Sequence, residues 1–169
     1  FGGNAAYSST DRALVFDGTG ANLVIPAISG ASGNWIHTIS FWVIWNQARN
    51  SDYEMLVYSG AAVDNQRIDV SSHDSILGYD FRSNRVEITK PSENVWHHVV
   101  CTYNGSGTGR AIYVDGVSQT LTTAGTNYGD NLNLSNQDIY VATNLGSTQE
   151  FQGSISNFKI WGGVALTAE

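Results

Sequence analysis

The sequence predicts an all-β fold, a two-sheet antiparallel jelly-roll sandwich. Three observations carry that expectation. No window of a dozen residues shows an apolar stripe with the 3.6-residue period of a helix. Short apolar or alternating runs recur at close spacing, split by Gly, Asn, Asp and Ser, as turns split strands. The 169 residues hold 18 Gly, only 2 Pro, 41% hydrophobic side chains and only 14% charged ones, against about 25% charged in an average domain. A chain of this length fits one domain, taken as residues 1–169.

The runs follow one another with turn chemistry between them. Ala13 to Phe16 enters the turn Asp17-Gly18-Thr19-Gly20, and Leu23 to Ile25 stops at Pro26. Trp35 to Trp45 is the longest strand candidate. Within it Phe41, Val43 and Trp45 share one face, Trp42 and Ile44 the other. Met55 to Tyr58, Arg67 to Val70, Ile76 to Phe81 and Arg85 to Ile88 follow. Trp96 to Tyr103 precedes Asn104-Gly105-Ser106-Gly107. Ala111 to Val114 meets Asp115-Gly116 before Val117, the strongest short-range hairpin signal in the chain. Ile139 to Val141 and Ile155 to Trp161 end the series, about a dozen strands in all. The polar stretch from Ala124 to Asn136 reads as one long surface loop.

Composition also limits function. Eight basic and fifteen acidic side chains leave a net charge of −7, which argues against nucleic acid or an anionic membrane surface as a partner. No apolar run is long enough for a membrane helix, so no membrane insertion is expected. The single cysteine, Cys101, excludes an internal disulfide and reads as a small buried hydrophobe. Ser72-His73-Asp74 contains the residue types of a hydrolytic triad, but consecutive side chains cannot take its geometry. Gly105 to Gly109 opens no helix and is no phosphate loop.

Five segments together resemble a known family: Ala13-Leu14-Val15-Phe16-Asp17-Gly18, Ile39 to Val43, Trp96 to Gly105, Ile112 to Gly116, and Phe151 to Trp161 with the closing Ala165 to Glu169. Their order and spacing are similar to the laminin-G-like and pentraxin branch of the concanavalin A-like lectin/glucanase superfamily. The resemblance implies a jelly roll with one curved, concave sheet. It also implies sugar or protein ligands, often held with calcium, and a module excised from a larger secreted, cell-surface or virion-surface protein. Oligomers occur among such relatives.

The resemblance places a calcium ligand at Asp52 and offers Asn144 and Glu150 from a second loop. Tyr53 stands where the family has Asn, and the second loop lacks the family's Asp. Calcium, structural or bridging a ligand, takes 6–8 oxygens, of which these residues supply part. Sugar recognition needs an aromatic platform beside polar groups, because a pyranose has one apolar face and many hydroxyls. Trp45, Tyr53, Tyr79, Arg82 and Tyr128 are the candidates; Trp35, Trp42, Trp96 and Trp161 are assigned to the core. The superfamily's hydrolases carry Glu-x-Asp-x-Glu or Glu-x-Asp-x-x-Glu on one strand, and neither occurs here. The expectation is therefore a non-catalytic carbohydrate-binding or adhesion module that engages a glycan or cell-surface glycoconjugate. The alternatives are a structural or protein-interaction domain, of fibre or decoration type, and a glycan hydrolase or lyase.

Overall fold

The computed structural model describes residues 5–46, 53–144 and 149–167. In chain order the strands are β1 (Ala6–Ser8), β2 (Ala13–Asp17), β3 (Leu23–Ile25), β4 (His37–Trp45), β5 (Glu54–Gly60), β6 (Arg67–His73), β7 (Ile76–Asp80), β8 (Arg85–Thr89), β9 (His97–Tyr103), β10 (Arg110–Val114), β11 (Val117–Ser118), β12 (Thr122–Ala124), β13 (Ile139–Val141) and β14 (Gln152–Gly162). No helix occurs among the described residues. The strands form two seven-stranded sheets, ordered β1-β2-β14-β4-β9-β10-β11 and β12-β8-β7-β6-β5-β13-β3. Every strand pairing in both sheets is antiparallel. The predicted sandwich is thus the observed one.

Alternation fixes the faces. On β4, Ile39, Phe41, Val43 and Trp45 are buried, and on β9 Val99, Cys101 and Tyr103 join them. They meet Ile68, Val70, Leu77, Tyr79 and Val86 of the second sheet in one continuous core. The hairpin at Asp115-Gly116 forms as expected. Val114 pairs Val117, and both turn residues take positive φ, 52° and 80°, as a two-residue primed turn requires. Burial pushes the Cys101 thiol far above its ordinary pKa.

Two expectations need correction. The stretch from Ala124 to Asn136 is not simply a surface loop. β12 ends at Ala124, and Leu132 and Leu134 return to the core at 1% and 4% exposure. Leu134 exchanges two backbone hydrogen bonds of 2.8 Å with Gly33. Two leucines spaced by two in a polar stretch were enough to seal that end of the sandwich. The tryptophans of β4 are also reversed. Trp45 is fully buried, whereas Trp42, assigned to the core, is 40% exposed and stacks on His98 at 5.2 Å. Both strand faces were aromatic, so alternation grouped the residues but could not say which group faced inward.

A charged cleft on the outer face of the second sheet

The outer face of the second sheet is built from the residues that alternate with its core positions. Cross-strand pairing lines up Tyr140, Tyr58, Asp69, Asp80 and Arg85 as one row over β13, β5, β6, β7 and β8. Met55, Ser71, Gly78 and Glu87 form the next row. A cleft of about 260 Å³ opens over these rows, with Tyr53, Arg67, Asn144 and Gln149 at its walls.

Two arginines and three carboxylates organise the floor. Arg67 Nη2 lies 2.6 Å from Asp69 Oδ2 and 3.7 Å from Asp80 Oδ2, so one guanidinium bridges the two acids that face each other across β6 and β7. Burial pushes the Asp69 carboxyl above its ordinary range; Arg67 opposes that shift and Asp80 adds to it. Ser71 Oγ donates to Asp69 Oδ1 at 3.3 Å. Arg67 also sits over the Tyr58 ring, 5.7 Å from its centroid.

Arg85 has a different setting. Its Nη1 donates to Tyr53 Oη and its Nη2 to His73 Nδ1, each at 3.3 Å. Its Nε is 3.3 Å from Glu87 Oε2 without hydrogen-bond alignment. Gly78 makes this position available, because a Cβ there would fall on the guanidinium of Arg85. The Tyr53 and His73 rings stack at 4.3 Å, and Arg85 lies 5.4 Å from the Tyr53 centroid. Desolvation, then the Arg85 charge, holds His73 below its ordinary pKa, so the ring is a neutral acceptor.

Of the expected site residues, the cleft gathers Tyr53 and Asn144. Trp45 and Tyr79 are corrections: both face inward and are fully buried. Trp45 Nε1 donates to Ser72 Oγ at 3.0 Å, and Tyr79 Oη donates to His37 Nε2 at 2.5 Å. His37 Nδ1 must donate to the Trp35 carbonyl at 2.8 Å, which leaves Nε2 as the acceptor. Arg82 lies outside the cleft, 3.6 Å from Asp64. Tyr128 is exposed and covers Arg110 at 5.7 Å, also outside the cleft.

The calcium set is not assembled by what is described. Asp52 lies outside the described residues. Asn144 Nδ2 donates to Gln149 Oε1 at 2.8 Å, while Glu150 Oε1 lies beside Gly20 and does not line the cleft. No group of three or more His, Cys, Asp or Glu among the described residues could hold a metal ion.

Arg67, Asp69, Asp80 and Arg85 were missed as site residues. Their signal was present, since in Arg67-Ile68-Asp69-Val70 and Arg85-Val86-Glu87-Ile88 charges alternate with apolar residues and so must share the face away from the core.

Comparison with solved structures finds the same architecture. Domain 4 of an extracellular arabinanase from Geobacillus stearothermophilus, solved with arabinotriose, matches at TM-score 0.71 and 23% identity, over 99% of this chain and 79% of that one. The binding domain of botulinum neurotoxin serotype G matches at TM-score 0.70 and 15% identity, over 99% of this chain and 43% of that one. A Trypanosoma rangeli sialidase matches at TM-score 0.69 and 14% identity, over 98% of this chain and 27% of that one. This chain thus spans less than half of the neurotoxin and sialidase chains. No curated protein sequence matches it. A laminin-G-type family model matches residues 17–169, and the chain belongs to the Concanavalin A-like lectin/glucanases superfamily.

Proposed function

We propose that this chain is a non-catalytic carbohydrate-binding module and that the charged cleft on the second sheet is its glycan site. The observation that carries this reading is the cleft's composition. An exposed ring, Tyr53, stands beside carboxylate, guanidinium, hydroxyl and amide groups in one depression. Stacking on the ring and hydrogen bonds to hydroxyls are what a saccharide requires. The fold's likeness to an extracellular arabinanase domain solved with arabinotriose and to toxin binding domains supports the reading, and an extracellular place for the module is part of the proposal. Affinity per site should be modest, with display in several copies raising it.

One observation favours a second reading. Asp69 and Asp80 oppose each other on neighbouring strands, and paired carboxylates hydrolyse glycosides. Arg67 bridges both and holds their charge in an ion pair, which leaves neither free as nucleophile or base. A glycan array separates the readings from an inert structural domain. Wild-type protein should give saturable binding to a subset of glycans, and Tyr53→Ala should lose it. Binding unchanged in Tyr53→Ala would remove the cleft from the account, and release of reducing ends from the bound glycans would favour the hydrolase.

A further inference from the structure

We infer that the cleft is built for a sugar bearing a carboxylate, with Arg85 as the group that docks it; this rests on the glycan reading above. The two arginines of the floor differ in how well they are satisfied. Arg67 lies in a close ion pair with Asp69 at 2.6 Å, although its Nε and Asp69 Oδ2 lack hydrogen-bond alignment. Arg85 is 8% exposed, yet each of its contacts stands at 3.3 Å, and two of them are to neutral acceptors, Tyr53 Oη and His73 Nδ1. Its buried Nε has no hydrogen-bond partner, which is also true of Arg67 Nε, so the two arginines differ in the distance and charge of their acceptors. A buried guanidinium without a short acceptor leaves much of its desolvation cost uncompensated.

A planar two-oxygen anion answers that deficit, because the guanidinium presents its donors as a rigid fork. The guanidinium lies over Gly78, and the 37% exposed Tyr53 ring borders the same space, so the sugar that carries the carboxylate has an aromatic edge to rest against. The competing acid is Glu87, whose carboxylate is 21% exposed and can turn to water. Asp69 and Asp80 are occupied by Arg67 and remain as acceptors for hydroxyls rather than as unpaired repulsive charges.

The test is a matched glycan panel, with uronate- and sialate-bearing oligosaccharides, their carboxyl-reduced forms, sulfated forms and neutral chains, measured by array and then calorimetry. A charge-assisted pair is worth enough to favour the carboxylated form about tenfold or more over its reduced counterpart. Arg85→Gln should erase that preference, and Arg85→Lys, which keeps charge without the fork, should restore only part of it. Melting curves confirm that each variant folds, and Trp42→Ala on the opposite sheet should bind as wild type does. Equal binding of reduced or neutral forms would overturn the inference and leave the glycan reading standing. Sulfated forms that bind as well as carboxylated ones would overturn it too, and binding to no glycan would defeat both.

Discussion

His37 makes the stability of this protein depend on pH. The ring is fully buried between the sheets, donates from Nδ1 to the Trp35 carbonyl, and accepts from Tyr79. Desolvation by burial lowers its pKa from the ordinary 6.5 to about 4, against the raising effect of the Trp35 carbonyl. A base whose folded pKa is depressed stabilises the fold above its unfolded pKa and loses that contribution as pH falls through the folded one. The gap is worth about 3 kcal/mol in total at 1.36 kcal/mol per pH unit, and about 2.5 kcal/mol of it is gone by pH 4.5. Asp69 works in the opposite sense. Its raised pKa contributes stability that is full below 3.8 and lost as pH rises through the folded value. The experiment is therefore done in Asp69→Asn as well as wild type. Urea unfolding at pH 7 and pH 4.5 should show the variant losing about 2.5 kcal/mol from His37, with His73 adding to the loss, and wild type losing less. Ring NMR shifts of His37 should stay flat to below pH 5. A His37 ring that titrates near 6.5, or an Asp69→Asn variant equally stable at both pH values, would refute the reasoning.

The remaining predictions concern single side chains. Trp45→Ala should cost about 3–5 kcal/mol in denaturant unfolding, because it empties a fully buried site, while Trp42→Ala on the exposed face should cost far less. Gly78→Ala should push the Arg85 guanidinium off its seat, with a loss of about 1–3 kcal/mol in stability and a weakened glycan affinity by calorimetry. Cys101 should resist iodoacetamide in the native protein and react only on unfolding, read by mass spectrometry, since it is fully buried and its thiolate is strongly disfavoured.

How much of this was legible in the sequence varied with the physics involved. Period-2 alternation and turn residues suffice for strands, so β4, β9, β10 and the Asp115-Gly116 hairpin were all visible. Alternation says which residues share a face but not which face is covered. That is why Trp45 and Trp42 exchanged roles: the answer depends on the opposing sheet, which lies far away in sequence. The cleft was hidden for a related reason. Asp69, Asp80 and Arg85 are neighbours only through strand register, which no local pattern states. Tyr53 reads from the sequence as a candidate aromatic platform and Asn144 as a calcium ligand implied by the family resemblance, and the structure places both at the cleft. Tyr79 had the same chemistry but sits one register position from the outer face, where its hydroxyl serves His37 instead.

The account stands on the location of the glycan site, and backbone NMR mapping tests it most directly. Isotopically labelled protein would be titrated with the strongest glycan from the array. Saturable shifts should cluster at Tyr53, Ser71 and Arg85, while Trp42 and His98 on the opposite sheet stay still. Shifts centred on Trp42 and Trp96, or none that saturate, would contradict it.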